Sequence, residues 1–213
     1  MSKAVNLFVF DSLADWEPGY AIAGIQGTSW QKQPGRYFVR TVGLTKDPVR
    51  TMGGMTVLPD IALADLTIED SAMLILPGGF VWDEEPAKLS AAIDKARDFI
   101  AGGVPVAAIC AATAALARSG LLDSCRHTSN DKDYLLATGY GGSDRYEDAP
   151  AVTDGNVITA PGTAPLDFAY HIFRRLDVYT DGVLEAWYGL YKTGQPEYFY
   201  ALVREISAGG KGA

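Results

Sequence analysis

Short apolar runs alternate with longer segments of helical periodicity along this chain. Residues 5–10 and 72–76 are apolar at nearly every position, which is typical of strands covered on both faces. Residues 104–109 form a third such run, and the alanine-rich segment that follows it to Arg118 favours a helix. Strands that alternate with helices in this way predict an α/β fold with a mostly parallel sheet.

The pattern of turns and periodicity gives the remaining elements. It predicts a strand over residues 37–42, hairpins over 47–60 and 151–160, a short helix over 131–136, and longer helices over 14–26, 84–102, 163–176 and 181–191. No internal repeat or linker interrupts this order. We therefore expect one domain over residues 1–206, in which 181–206 form a helical extension, followed by a flexible glycine-rich tail over 207–213.

Cys110 lies where the third apolar run meets the alanine-rich helix. No Gly, Pro or Asn separates strand from helix, so the chain must turn sharply at the cysteine itself. Small residues, Ala108 and Ala112, stand two positions before and after it, which is the spacing of a nucleophile elbow. At the start of a helix, backbone N–H groups and the helix dipole are expected to lower the pKa of the thiol. The alternative is a buried, inert core cysteine.

Composition limits the classes of partner. A net charge of −8 without any Lys/Arg run argues against nucleic acid. No apolar run approaches the ~20 residues that a membrane span needs, and the N-terminus shows no signal-peptide pattern. We expect a cytoplasmic protein with no membrane partner. The two cysteines, Cys110 and Cys125, lie in no CxxC or Cys/His cluster, so neither a metal nor a cofactor is expected.

Two further segments are expected at the sheet edge where such folds bind ligands. Gly78 and Gly79 follow the second apolar run, and the N–H groups of Gly79 and Ala111 can form an oxyanion hole. The alternative for the two glycines is an ordinary tight turn. Glu17 lies in the first turn of the first helix, where it either favours the helix dipole or sits protonated against the thiol. The residues alone leave that choice open.

The polar residues after the elbow helix are weaker candidates. His127 stands in a short polar strand and faces either the pocket, as a base, or solvent. Asn130 can orient a group in the same pocket. His171 lies in the middle of a predicted helix and is interpreted as structural. Cys125 is either a resolving thiol or an incidental surface cysteine, of which the second is favoured.

Several of these segments together resemble the ThiJ/PfpI superfamily, within the class I glutamine amidotransferase-like fold. The resemblance lies in Ala-Ile-Cys-Ala at 108–111, the segment 116–123, Leu-Pro-Gly-Gly at 76–79, Asp-Trp-Glu-Pro at 15–18 and Thr-Ala-Pro-Gly-Thr-Ala at 159–164. These segments follow one another in the expected order. The extension over 181–206 is similar to a bacterial, YdeA-like branch that is often labelled type 1 glutamine amidotransferase.

The resemblance implies a flavodoxin-like three-layer sandwich that forms a homodimer. It also implies that Cys110 is the reactive nucleophile, that Glu17 is the protonated neighbour of its sulfur, and that Gly79 and Ala111 supply anion-binding amides. Three departures stand out. Ala111 occupies the place of the His that follows the Cys in PfpI-type proteases, and no His-x-Glu completes an amidotransferase triad. Asn130 stands where several relatives carry His.

The sequence therefore predicts a cysteine-dependent enzyme that acts on a small electrophilic substrate. A hemithioacetal or thioester-like adduct on Cys110 fits hydrolase, hydratase and glyoxalase-like reactions. One alternative is an oxidative-stress sensor that works through oxidation of Cys110 to a sulfenic or sulfinic acid. The others are an amidotransferase or protease-like activity, as often assigned to relatives, and an interaction or chaperone-like module.

Overall fold

The computed structural model of the protein describes residues 2–209. Its strands are β1 (Lys3–Phe8), β2 (Tyr37–Gly43), β3 (Val49–Arg50), β4 (Thr56–Val57), β5 (Ile61–Ala62), β6 (Ser71–Leu76), β7 (Val106–Ile109), β8 (Val152–Asp154) and β9 (Val157–Ala160). Its helices are α1 (Trp16–Gln26), α2 (Val81–Glu84), α3 (Ser90–Ala101), α4 (Ala111–Arg118), α5 (Lys132–Leu136), α6 (Pro165–Leu176), α7 (Asp181–Thr193) and α8 (Pro196–Gly209).

Seven strands form the central sheet in the order β5-β2-β1-β6-β7-β9-β8. Neighbouring strands pair in parallel, except that β8 runs antiparallel to β9. The inner strands β6 and β7 are buried along almost their whole length, which explains their continuous apolar sequence. The predicted α/β fold with a mostly parallel sheet is confirmed.

The strand order changes direction at β1. β2 lies on one side of β1, and β6 followed by β7 lies on the other. The register places Leu7 beside Ile75 and Leu76 beside Ala108, so the carboxyl ends of β1, β6 and β7 meet at one edge. Open α/β sheets bind ligands at such a switch point. The loop to α1, the Pro-Gly-Gly segment and Cys110 all begin there.

Two groups of helices flank the sheet. α1 packs against α6 and β2, and α6 also contacts β7 and β9. α3 contacts β6 and β7, and α4 contacts β7 and α2. The largest fully buried side chains are Trp82, Phe8, Phe99, Phe168 and Phe173. Across residues 2–209, no helix combines the length and the apolar character that crossing a membrane requires.

The short strands β3 and β4 form a separate hairpin, as the Gly-Gly turn predicted, in which Val49 faces Val57. The hairpin is tied to the loop that leads into α1. Ser12 donates its N–H to the carbonyl oxygen of Arg50 at 2.8 Å, and the Asp15 carboxylate accepts the N–H of Gly53 at 2.5 Å. These bonds hold in place the segment that enters the first turn of α1.

The predicted helix over residues 84–102 is wrong as a single element. The chain forms the short α2, a 3-10 helix over Pro86–Leu89, and only then α3. Pro86 supplies the reason, because proline lacks the N–H that a continuing helix needs and disfavours helical geometry in the residue before it. Glu85 accordingly leaves the helical region, with φ −139° and ψ 55°.

The predicted tail over residues 207–213 begins too early. Ser207 to Gly209 belong to the last turn of α8. The rest of the predicted tail, residues 210–213, lies outside the described residues. The short edge strand β5 was not predicted, because two residues are too few to show a period.

The packing of α1 on α6 gives a first testable prediction. A Cβ on Gly24 would lie 2.3 Å from Cζ of Phe173 and 2.9 Å from the hydroxyl of Tyr179, and both aromatic side chains are buried. We expect Gly24→Ala to lower the free energy of unfolding by about 1–3 kcal/mol, because overpacking must displace these rings. Urea unfolding measures the difference.

Gly19→Ala is the matched control for that substitution. It lies in the same helix, and a Cβ there meets nothing within 4 Å. We expect it to be neutral or to stabilise the protein by up to about 1 kcal/mol, since alanine is the better helix former. Equal effects of the two substitutions would contradict the close contact between α1 and Phe173.

Candidate functional site

Cys110 is the single residue between β7 and α4. Its backbone has φ 59° and ψ −128°, a sparsely populated region that costs a residue with a side chain about 1–3 kcal/mol. The N–H of Cys110 donates to the carbonyl oxygen of Ala160 on β9, and the Thr113 hydroxyl donates to the carbonyl oxygen of Cys110 at 2.6 Å. Ala108 and Ala112 are fully buried on either side of the turn. The surrounding bonds thus hold the strained turn in place.

The Glu17 carboxyl lies against the Cys110 side chain. It is fully buried in the first turn of α1, and its Oε2 accepts the N–H of Gly78 at 2.5 Å. Oε1 accepts no hydrogen bond from an N–H or O–H group of the described residues. A Cβ on Gly162 would lie 2.9 Å from the Cys110 sulfur and 3.0 Å from Oε1. Carboxyl and thiol therefore meet in a space that leaves no room for a side chain at Gly162.

Gly78 is required for the same reason. A Cβ at this position would lie 2.7 Å from Cβ of Cys110 and 2.9 Å from Oε2 of Glu17. Contacts below 3.0 Å force one of the partners to move, and both partners are held by their own hydrogen bonds. The first glycine after β6 thus lets the backbone approach the carboxyl closely enough to donate to it.

Burial dominates the electrostatics of the pair. It raises the pKa of Glu17 from 4.5 to about 7, against the smaller opposite effect of the hydrogen bond from Gly78. Burial, and after it the negative charge of Glu17, raises the pKa of Cys110 to about 11. The hydrogen bonds from Asn130 and from the Ala111 N–H lower it, but by less. The expected net lowering of the thiol pKa by the helix start is therefore wrong.

Asn130 completes the surroundings of the sulfur. Its Nδ2 donates to Sγ of Cys110 at 3.3 Å, and its Oδ1 accepts the N–H of Gly162 at 2.8 Å. The indole N–H of Trp16 donates to the carbonyl oxygen of Gly162 at 3.2 Å. A cavity of about 510 Å³ opens beside the sulfur, lined by Trp16, Glu17, Cys110, Asn130, Gly162, Thr163 and Pro165. It is large enough for a small molecule.

Comparison with known proteins identifies the family of this site. The family model described as DJ-1/PfpI family matches residues 3–175. The chain belongs to this family. It is 41% identical over 209 residues to the uncharacterized protease YoaZ of Bacillus subtilis (strain 168), a match that covers 97% of this chain and 99% of that protein.

Two further relatives agree with the family assignment. The uncharacterized protease YdeA of the same organism is 33% identical over 211 residues, which are 92% of this chain and 98% of that protein. The crystal structure of the thiJ/pfpI family protein from Bacillus anthracis superposes with a TM-score of 0.90 at 42% identity. That match covers 97% of this chain and 98% of the other. The resemblance to the ThiJ/PfpI superfamily is thereby confirmed.

The two predicted oxyanion donors differ in their relation to the sulfur of this DJ-1/PfpI protein. The N–H of Ala111, the first residue of α4, lowers the pKa of the adjacent Cys110 thiol. A Cβ on Gly79 would instead meet the ring of Phe10 and the carbonyl oxygen of Ser12, each at 2.7 Å. Among the described residues the Gly79 N–H donates to no acceptor. Gly78, rather than Gly79, is the glycine in contact with Cys110, and the role of Gly79 as an anion donor stays a prediction.

His127 does not line the cavity at Cys110. It is fully buried, its Nδ1 contacts the carbonyl oxygen of Cys125 at 2.9 Å, and its Nε2 contacts the Tyr140 hydroxyl at 3.0 Å. Burial lowers its pKa, so the ring is neutral at pH 7. With both ring nitrogens hydrogen-bonded, His127 connects the backbone at Cys125 to Tyr140. The expectation that it faces either the pocket or solvent is wrong, because Tyr140 and Cys125 enclose it.

The remaining titratable candidates lie outside the cavity as well. His171 bonds through Nδ1 to the Thr153 hydroxyl at 2.8 Å, in keeping with a structural role. Cys125 is half-buried, and burial raises its pKa to about 11, which disfavours the thiolate that a resolving cysteine needs. Over residues 2–209, no three His, Cys, Asp or Glu side chains are grouped so that they could hold a metal ion.

Sequence reasoning missed Trp16 and Gly162 as parts of the site. Both lie within segments that carried the family resemblance, Asp-Trp-Glu-Pro and Pro-Gly-Thr. The signal that could have found them is their position in the chain. Each segment leads into a helix at the edge of the sheet where open α/β folds bind ligands.

The buried carboxyl of Glu17 predicts how stability depends on pH. Its native pKa of about 7 exceeds the unfolded value of 4.5, so the native state binds the proton more tightly. The contribution of Glu17 to the free energy of unfolding is therefore fully present below pH 4.5. It is lost as the pH rises through about 7, and the loss amounts to about 3 kcal/mol in all. We expect Glu17→Gln to be more stable than the wild type at pH 8 and similar to it at pH 4.5, as measured by urea unfolding.

Glu69→Gln, which changes an exposed carboxyl, is the control for that experiment. It removes the same charge without relieving any burial, so we expect little difference from the wild type at either pH. A stability difference between Glu17→Gln and the wild type that does not change with pH would show that Glu17 is not the group that titrates.

Proposed function

We propose that this protein is an enzyme that adds the Cys110 thiol to the carbonyl carbon of a small electrophilic substrate. One observation carries the proposal: a cysteine on a strained turn shares a small-molecule cavity with a buried carboxyl whose pKa is about 7. A general base works best when its pKa lies near the working pH. Glu17 meets that condition, and it lies against the sulfur that it would deprotonate.

The addition balances with Glu17 as the single proton carrier. The ionised carboxyl takes the proton from the Cys110 thiol as the sulfur attacks, and a C–S bond forms while the π electrons of the carbonyl move to its oxygen. Glu17 then returns the proton to that oxygen, which gives a neutral hemithioacetal and restores the carboxylate. Thiol and carbonyl combine with no other reactant, and the reverse path follows the same steps.

Backbone amides provide the expected stabilisation of the developing oxyanion. The N–H of Ala111 is the first of α4 and lies beside the sulfur, and the N–H of Gly79 has no acceptor among the described residues. Preorganised N–H donors of this kind contribute about 3–4 kcal/mol each to acyl-transfer transition states. In this proposal they hold the substrate oxygen while Glu17 carries the proton.

The same site gives less support to a protease. YoaZ and YdeA are named as uncharacterized proteases, but peptide hydrolysis must protonate an amine and then activate a water molecule. Glu17 is the one carboxyl or imidazole among the residues that line the described cavity. The reversible addition of a thiol to a carbonyl needs one such group. A hydrolase acting on a small ester or amide would have to use Glu17 twice.

Substitutions of the pair test the proposal. On a panel of small aldehydes and 2-oxoaldehydes, we expect Cys110→Ser to abolish turnover and Glu17→Gln to lower kcat/KM about 10²–10⁴-fold, the usual contribution of a general base. In the wild type, kcat/KM is expected to fall as the pH drops below about 7, because protonated Glu17 cannot accept the thiol proton. Steady-state rates between pH 5 and 9 measure both effects.

Cys125→Ser is the control for those rates, because Cys125 is a thiol that does not line the cavity. It is expected to retain wild-type turnover. Full activity of Cys110→Ser on any substrate that the wild type consumes would refute the proposal.

A second candidate is an oxidant sensor. The observation that favours it is the set of donors around the sulfur, the Ala111 N–H and the Asn130 amide, which suit the oxygens of a sulfinate. The pKa of about 11 counts against it, because peroxide reacts with the thiolate. Mass spectrometry after mild peroxide treatment separates the two candidates. Selective oxidation of Cys110 over Cys125, together with no turnover on the carbonyl panel, would establish the sensor instead.

A further inference from the structure

The Asn130 side chain is held at both ends. Its Oδ1 accepts the N–H of Gly162, and its Nδ2 donates to the sulfur of Cys110. Because a backbone N–H can only donate, the amide oxygen must face Gly162, and the NH₂ group must then face the sulfur. The orientation of this amide is thus fixed by its neighbour.

The peptide that orients Asn130 is itself held from the other side. The Gly162 carbonyl oxygen accepts the indole N–H of Trp16 at 3.2 Å. Gly162 cannot carry a side chain without meeting Cys110 and Glu17, so its position is also limited by the site. A chain of hydrogen bonds therefore runs from Trp16 through Gly162 and Asn130 to the sulfur.

This chain of hydrogen bonds opposes the influences that keep the thiol protonated. Burial and the charge of Glu17 both disfavour a negative sulfur, whereas the Asn130 hydrogen bond favours it. A neutral donor to a negatively charged acceptor forms a charge-assisted bond, roughly twice as strong as a neutral one. Unlike a histidine, the amide brings this bond without a second titrating proton.

We propose that Asn130 is a catalytic residue, whose fixed N–H donor stabilises the Cys110 thiolate while Glu17 holds the proton. Trp16 is then a positioning residue that acts through Gly162. This inference deepens the proposed function by assigning the activation of the same sulfur. It concerns the reactivity of the thiol and holds for any electrophile that reaches the cavity.

Alkylation by iodoacetamide tests the inference without a substrate. In a Cys125→Ser background, Cys110 is the only cysteine of the sequence, and between pH 6 and 10, below its pKa of about 11, its rate of alkylation is proportional to the thiolate fraction. We expect Asn130→Ala to slow alkylation roughly tenfold throughout this range, because a higher thiol pKa leaves less thiolate at each pH. Asn130→Asp, which places a charge where the donor was, is expected to slow it further.

Asn130→Ala also shows whether the side chain acts as a hydrogen-bond donor or only lines the cavity. Asn130 is exposed, so its truncation widens the approach to the sulfur. If the side chain only fills space, alkylation is as fast as in the parent or faster at every pH in this range, and that result overturns the inference. Trp16→Phe keeps the aromatic ring but removes the indole N–H. We expect this substitution to slow alkylation about two- to threefold, because losing the indole hydrogen bond to Gly162 leaves the Asn130 amide less firmly oriented.

Asn156→Asp is the matched control, because it introduces the same charge in the turn between β8 and β9, away from the cavity. It is expected to leave the profile unchanged, and a shift equal to that of Asn130→Asp would assign the effect to net charge alone. Circular dichroism identifies the variants that fold, and any folded variant of Asn130 decides the question. If Asn130→Ala is alkylated more slowly but the parent shows no carbonyl turnover, the role of Asn130 stands and the proposed enzyme activity is refuted.

Discussion

The contact between the buried Glu17 carboxyl and the Cys110 thiol is the interaction on which the rest of the site depends. A fully buried carboxyl with one backbone N–H donor keeps its proton up to about pH 7, and once ionised its charge holds the proton on the sulfur. Above about pH 7 the pair therefore keeps one proton, which resides on the sulfur. The fold accepts a destabilising buried carboxyl there, which is the usual relation between stability and a functional site.

The close contact is made possible by backbone features of three different segments. Cys110 adopts a positive φ, Gly78 brings its N–H to the carboxyl, and Gly162 packs against both carboxyl and sulfur without a side chain. Each follows a different strand of the parallel sheet, and the sheet brings their carboxyl ends to one edge. The geometry of the pair is thus a property of the sheet topology, rather than of any one loop.

Local pattern was enough to predict the sheet and the turn at Cys110, because buried strands, small flanking residues and helix formers all act over a few positions. Pro86 is likewise a local signal, since proline interrupts a helix. Other features depend on distant contacts that no local pattern shows. His127 is enclosed by Tyr140, and the net rise in the pKa of Cys110 comes from burial and from a carboxyl 93 positions earlier in the chain.

The absence of a histidine at the sulfur, within the described cavity, now has a physical interpretation. A histidine would place a second group that titrates near neutral pH beside Glu17. Asn130 supplies a hydrogen bond in that place without a charge of its own. In the proposed reaction, the proton that leaves the sulfur has one acceptor, Glu17, and returns from it. Such a site is suited to reactions in which one proton goes out and comes back, and poorly suited to those that need an acid and a base at once.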